Sequence, residues 1–188
     1  MARGVSDFLS KYVTLSEAET EEIASQFKSQ TIKKNTFLLR QGETCKDIVL
    51  VQKGCLRLYY IKDDVEISVW FAFEGSSAIE MYSFISENPS DYFIQAIEDG
   101  EVVYLSKRRL NKLYKTIPKT HELMKNFWED VILHLIHRFT SLQKDTAEER
   151  YLELLNKPAY LATIPQKYLA SFIGITPTSL SRIRRKIK

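Results

Sequence analysis

IPQKYLASFIGITPTSLSRIRRKIK, residues Ile164–Lys188, reads as two short helical patterns joined at a glycine. In the first, Pro165 to Ile173, Leu169 and Ile173 fall on one side, with Ala170 beside them. A small residue there lets a second helix cross closely. Gly174 accepts the positive φ that ends a helix. Thr176 suits the N-cap of the second helix. Pro177 suits its first position, where a missing N–H removes no hydrogen bond. Ile175 and Leu180 have the spacing of a hydrophobic staple. Leu180, Ile183 and Ile187 gather within about 60° of arc on a helical wheel. The opposite side carries Thr178, Ser181, Arg182 and Arg185, flanked by Ser179 and Lys186 on one edge and Arg184 on the other. Together these describe a helix-turn-helix. The rival reading, an ordinary helical hairpin with a basic surface, does not account for Ala170, Gly174, Ile175, Leu180 and Ile183 occurring together.

A helix that reads DNA needs short polar groups near its N-terminus to approach base edges, and arginine can grip guanine through two hydrogen bonds. Thr178, Ser179 and Arg182 are therefore expected to face bases, with the capping Thr176 beside them. Arg184, Arg185, Lys186 and Lys188 are expected to hold backbone phosphates, which position the protein without specifying sequence. Charge agrees. The chain holds 27 Lys and Arg against 24 Asp and Glu, net +3. From Leu154 onward there are seven cations and no acid, leaving 20 cations and 24 acids in residues 1–153. An acidic body with a basic end points to a polyanion partner for that end. A charged end that merely aids solubility is the bland alternative.

The 188 residues can bury a sizeable core and suggest one or two domains. The longest apolar runs, Ile67–Phe73 and Val131–Ile136, fall far short of the ~18 residues that span a bilayer. MARGVSDFLSKYV lacks a long apolar stretch, so no secretory leader is expected and a cytoplasmic, reduced protein is the simplest reading. Cys45 and Cys55 make neither a zinc nor an iron–sulfur pattern.

Ser16 and Glu19 have capping-box spacing, which predicts a helix through about Phe27. From Thr31 to Ser106, short Val-, Ile-, Tyr- and Phe-rich runs alternate with Gly, Asp and Asn at ~8–12-residue spacing, the pattern of an antiparallel sandwich or barrel. IKDDVE reads as a tight hairpin, and EDGE as a stronger one, because Asp-Gly suits a type I′ turn. SSAIEMYSFISENPS interrupts the strands with a helical turn or more. Helical period returns from about Pro118. Leu123, Phe127, Val131 and His134 share one face, continued by Arg138. Met124, Trp128, Ile132, Leu135, Phe139 and Leu142 lie on the adjoining one. That arc is wider than one core contact needs. One half is expected to pack on the strand domain and the other on a second copy, the alternative being a helix buried in a monomer. The dimer interface is expected on Leu123, Phe127, Val131, His134 and Arg138. Ala147 to Leu155 continues as a further helix, with a domain boundary near residue 145.

Taken together, QKYLASFIGITPTSLSRIRRKI, the central helix and TFLLRQGETCKDIVLVQKGCLRLYY, with Gly42 and Gly54 at turns, make nearly the whole chain resemble a Crp/Fnr-type transcription regulator. The resemblance implies an α+β fold. It comprises a cyclic-nucleotide-binding-like antiparallel β jelly roll at 1–115, a central dimerisation helix at 116–144 and a helix-turn-helix domain at 145–188. It also implies a homodimer on palindromic sites in double-stranded DNA, with RNA polymerase and a small-molecule effector as further partners and no membrane. No wing is expected after the second helix.

Relatives that bind cyclic nucleotides carry a Gly, an acid for the ribose, then an Arg and a small hydroxyl residue for the phosphate. In AIEMYSFISENPSDYFI, Glu80 takes the acid position, Ile79 replaces the Gly, Ser90 is present and Asp91 stands where the Arg is expected. Residues 63–106 contain no Lys or Arg and ten acids. A phosphate site there needs cations or a backbone nest. Glu80, Ser90 and Asp91 are therefore the candidate ligand residues, and cyclic-nucleotide binding in the usual mode is not expected unless a cation such as Arg57 reaches in. No cofactor or metal is expected. His121, His134 and His137 all lie outside the strands, and no catalytic motif occurs, so an enzyme is not expected. The alternative function is a small-ligand sensor whose basic end meets a non-DNA partner.

Overall fold

The computed structural model describes residues 3–187. Helices α1 (Arg3–Tyr12) and α2 (Glu17–Ser25) lead into the strands β1 (Lys28–Ile32), β2 (Phe37–Leu39), β3 (Asp47–Lys53), β4 (Cys55–Lys62), β5 (Val65–Phe73) and β6 (Ser77–Ala78). Helix α3 (Met81–Ser86) then precedes β7 (Phe93–Ala96) and β8 (Gly100–Ser106). The rest is helical: α4 (Lys107–Thr116), α5 (Lys119–Lys144), α6 (Ala147–Leu155), α7 (Pro158–Thr163), α8 (Gln166–Phe172) and α9 (Pro177–Ile187). Among the described residues, no helix is long and apolar enough to cross a membrane.

The strands make two four-stranded antiparallel sheets, ordered β1-β8-β3-β6 and β2-β7-β4-β5. Alternation divides β4 between two environments. Leu56 and Leu58 join the roll interior, while Cys55 faces a second core outside it. In β3, Ile48 to Val51 are all buried, because α1 lies over the strand's outer side. Val5 and Leu9 of α1 enter the main core, and the rings of Phe8 and Tyr12 meet Phe127 of α5 edge-on at 5.4 and 5.7 Å. Helix α1 lies outside the sequence expectations. Its signal is the i, i+4 spacing of Val5, Leu9 and Val13. The short α7 was not anticipated either, although Pro158 sits at its start.

Ser16 and Glu19 form the reciprocal capping box, and α2 ends at Ser25 rather than Phe27. IKDDVE is the β4–β5 hairpin, with Asp63 at φ 50° and Asp64 at φ 60°, as a type I′ turn requires. EDGE corrects the expectation. Asp99-Gly100 joins β7 to β8, which belong to different sheets, so no hairpin forms there. Gly100 serves close packing instead: a Cβ on it would fall 2.3 Å from the carbonyl oxygen of Lys53. Asp99 accepts hydrogen bonds from the Lys34 N–H at 2.8 Å and from Lys33 Nζ at 2.9 Å. Gly100→Ala should therefore destabilise the chain by about 1–3 kcal/mol in urea denaturation, as overpacking does. An unchanged midpoint would mean that the strands give way freely.

Candidate nucleic-acid interface and roll cleft

Helix α8 ends in a Schellman arrangement. Gly174 lies at φ +77°, its N–H donates to the Ser171 carbonyl, and the Ile175 N–H donates to the Ala170 carbonyl. Thr176 Oγ1 then accepts the Ser179 N–H at 3.2 Å and opens α9. Leu169, Ala170 and Leu180 are fully buried where the two helices cross, with Ile175, Ile183 and Ile187 packed around them. Gln166 Nε2 ties the start of α8 to α9 by donating to the Pro177 carbonyl and to Ser181 Oγ at 2.6 Å. The turn is held from behind by Arg150, whose Nε donates to the Ile173 carbonyl at 2.9 Å and whose Nη1 reaches the carbonyls of Ser141 and Asp145. A cation at two helix C-termini also complements their dipoles.

Thr176, Thr178, Arg182 and Arg185 are exposed, Ser179 is half-buried, and the described residues leave this face uncovered. Lys186 is exposed but paired with Glu148 of α6 at 2.8 Å. Arg184 stands apart from its expected group. It is half-buried, its guanidinium lies 5.7 Å from the Tyr151 ring, and its Nε is buried. Its position four residues after Leu180 turns it toward the core. Lys188 lies outside the described residues.

The paired helices rest on the outer side of the roll. Phe71 of β5 meets the rings of Tyr160 and Phe172, and Cys55 and Ile97 complete the same core. Arg57 of β4 has no exposed surface. Its guanidinium is sandwiched between Tyr168 of α8 at 3.5 Å and Tyr59 at 4.1 Å, and Tyr59 in turn stacks on Phe93 at 4.9 Å. Nε donates to Ser68 Oγ at 2.9 Å and Nη1 to Glu66 at 2.7 Å. Ser171 Oγ bonds Ser68 Oγ at 2.9 Å and accepts the Ser68 N–H at 3.2 Å. Arg138 of α5 stacks over Phe172 at 3.9 Å and donates to its carbonyl. Burial, with the Arg150 cation nearby, pulls Arg138 down to about 10, so it stays charged at neutral pH.

Between the roll, α3, α5 and the α8–α9 turn lies a cleft of about 1050 Å³, lined among others by Leu58, Tyr60, Trp70, Glu80, Asp91 and Tyr92. Glu80 is buried, and its carboxylate caps α3 by accepting the N–H groups of Tyr82 at 3.1 Å and Ser83 at 2.9 Å. Ser90 is buried and accepts the Tyr92 N–H at 3.0 Å, while Asp91 is exposed. The cations at the cleft are engaged: Lys11 pairs with Asp130 at 2.8 Å, and Arg138 is held by Phe172. Arg57 is not among the lining residues and is held by Tyr59, Tyr168, Ser68 and Glu66.

On α5, Leu123 and Phe127 are buried in the chain's own core and Val131 is half-buried against it. His134 Nδ1 lies 2.8 Å from the Asp130 carbonyl. Two members of the expected interface, Leu123 and Phe127, thus belong to the chain's own core, together with Met124 of the adjoining face. What stays open is Ile132, Leu133, Leu135, Ile136, Phe139 and Leu142, with Leu133 65% and Phe139 63% exposed. Both cysteines are free and buried, which pushes their thiols up to about 11 for Cys45 and about 12 for Cys55.

Residues 29–117 match the cyclic nucleotide-binding domain family. No curated protein matches the chain in sequence. Among solved structures, FixK2 from Bradyrhizobium japonicum is similar at a TM-score of 0.72 and 16% identity, over 86% of this chain and 84% of that one. CLP from Xanthomonas campestris, a c-di-GMP-responsive global regulator, gives 0.69 and 16%, over 92% and 91%. A Eubacterium rectale protein assigned to the Crp/Fnr family of transcriptional regulators gives 0.64 and 20%, over 92% and 83%. This chain has the Crp/Fnr fold.

Within the Crp/Fnr fold, the segment from Ile79 to Ile94 follows the middle strands and borders the cleft. It supplies an acid cap and a buried serine where a phosphate would ask for a cation. Tyr168, Gln166 and Arg150 were missed by sequence reasoning, which weighed Arg57 only as a possible ligand cation. Only Arg57 carried a signal, as a lone cation in the apolar run of β4. Glu80→Ala should lower stability by about 0.5–2 kcal/mol in urea denaturation, the loss of a helix cap. No change would free Glu80 for a ligand role.

Proposed function

We propose that this chain is a sequence-specific DNA-binding transcription regulator of the Crp/Fnr type, acting as a homodimer on palindromic sites. The reading divides it into a sensor roll at 1–115, a dimerisation helix at 116–144 and a DNA-binding domain at 145–188. The observation that carries it is the open outer face of α9, where Thr178, Arg182 and Arg185 project side by side while Leu180 anchors the opposite side. Thr176, Thr178, Ser179 and Arg182 are assigned to base edges or their approach. Arg185, Lys186 and Lys188 are assigned to phosphates, with Arg184 bracing the helix from behind. The exposed apolar stripe of α5 supports a second copy there, since large exposed apolar patches mark interaction sites. Two α9 helices about 34–36 Å apart would enter successive major grooves. RNA polymerase is the further protein partner this reading implies.

Cyclic AMP does not control the protein in the usual mode. The supporting observations are the acid cap Glu80, the engaged Lys11 and Arg138, and Arg57 held by Tyr168 and Glu66. The cleft suits a small effector without a phosphate.

Arg182→Ala should abolish discrimination at one base position of the selected operator, costing about 1–3 kcal/mol, measured by competition binding to single-base variants. An unchanged preferred site would misplace the reading face. If binding were charge alone, as for a non-DNA partner of the basic end, excess nonspecific duplex would remove it at once. Calorimetric titration with cyclic AMP and cyclic GMP should show no micromolar binding. Micromolar affinity for either overturns this part of the reading.

A further inference from the structure

We infer that Arg57 and Tyr168 are positioning residues that seat the helix-turn-helix rigidly on the roll and thereby set the half-site spacing the dimer accepts. The inference rests on the DNA-binding reading above.

Three contacts from three different elements hold the paired helices. Arg57 on β4 lies between the rings of Tyr59 and Tyr168, Ser68 on β5 bonds Ser171, and Arg138 on α5 holds Phe172. Contacts from β4, β5 and α5 restrain rotation as well as translation. Undocking α8 would strip an aromatic face from a guanidinium that has no exposed surface and uncover Phe71, Cys55 and Ile97. A buried charge that loses a partner is strongly penalised, which makes the docked arrangement steep rather than soft. Helix α9 follows α8 without slack, because Leu180 is fully buried between them and Gln166 bonds both Pro177 and Ser181. The positions of Thr178, Arg182 and Arg185 relative to α5 are therefore dictated by the roll. With α5 as the element shared between copies, the distance and twist between the two reading faces are dictated too. The outer face of α9 is not covered by the docking, so the seated state is the binding state.

The test uses full-length protein and its selected palindrome, together with copies of that site carrying one base pair more or fewer at the centre. One pair changes the half-site separation by about 3.4 Å and turns it by about 34°. Wild type should prefer the original spacing by about tenfold or more, a difference typical of coupled sites. Tyr168→Leu combined with Ser171→Ala lies on the half-buried surface of α8 and removes the ring and the hydroxyl. It should reduce that preference to under about threefold, with affinity for a single half-site unchanged. Tyr168→Phe keeps the ring and should retain the wild-type preference, as a purely structural hydroxyl role would not. If the double variant does not fold, Ser171→Ala alone is read for the same drop. A variant that folds and discriminates spacing as wild type does overturns the inference and leaves the DNA-binding reading intact. A wild type that selects no duplex at all sinks the DNA-binding reading instead.

Discussion

The stack that runs Phe93, Tyr59, Arg57, Tyr168 crosses from the roll into the C-terminal helices, and the layout of the molecule depends on it. The segment from α6 to α9 is short, and its apolar residues cannot enclose one another alone. Leu154, Ile164, Leu169, Phe172, Ile173 and Leu180 complete a core only with Cys55, Phe71 and Ile97 from the roll. The division at Asp145, where α5 stops and Thr146 caps α6, is a division of chain rather than of packing. What joins the parts is area plus an oriented cation, and the cation supplies the specificity of placement that area lacks.

The roll's electrostatics follow from the same economy of positions. Its one cation in the middle of a sheet, Arg57, is fully buried, and residues 63–106 carry ten acids and no Lys or Arg. The Glu80 side chain accepts two N–H groups at the α3 N-terminus. The same local need that keeps an acid at this position makes it a poor partner for an anion. Trp70, Tyr60 and Tyr92 then give the cleft its aromatic character.

Much of this was legible in the residues themselves. Gly174, Thr176, Pro177 and Leu180 each act within a few positions of one another, so their pattern survives into α8 and α9 intact. Asp63-Asp64 was readable for the same reason. Asp99-Gly100 misled because local turn preference says nothing about which sheet a strand will join, and the glycine answers to Lys53 across a sheet. The two apolar faces of α5 were visible, but which stretch of them the roll would claim was not: it takes Leu123, Met124 and Phe127 and leaves Ile132 to Leu142 open. That choice depends on Phe8 and Tyr12, whose helix arrives from the far end of the chain. Arg57 and Tyr168 are more than a hundred residues apart, and no periodicity links them.

The shared core also sets an order of events when the protein is made. Its two sides are separated by much of the chain, so closing it carries the entropy of a long loop. Residues 55–97 leave the ribosome well before α8 and α9, and the roll can close on its own interior first. The last helices then condense onto a finished surface. A truncated or stalled product would display Phe71, Cys55 and Ile97 to the solvent, an apolar signal that the chain is incomplete. Quality-control factors that recognise exposed apolar surface would meet it at a site that only the C-terminal helices can hide.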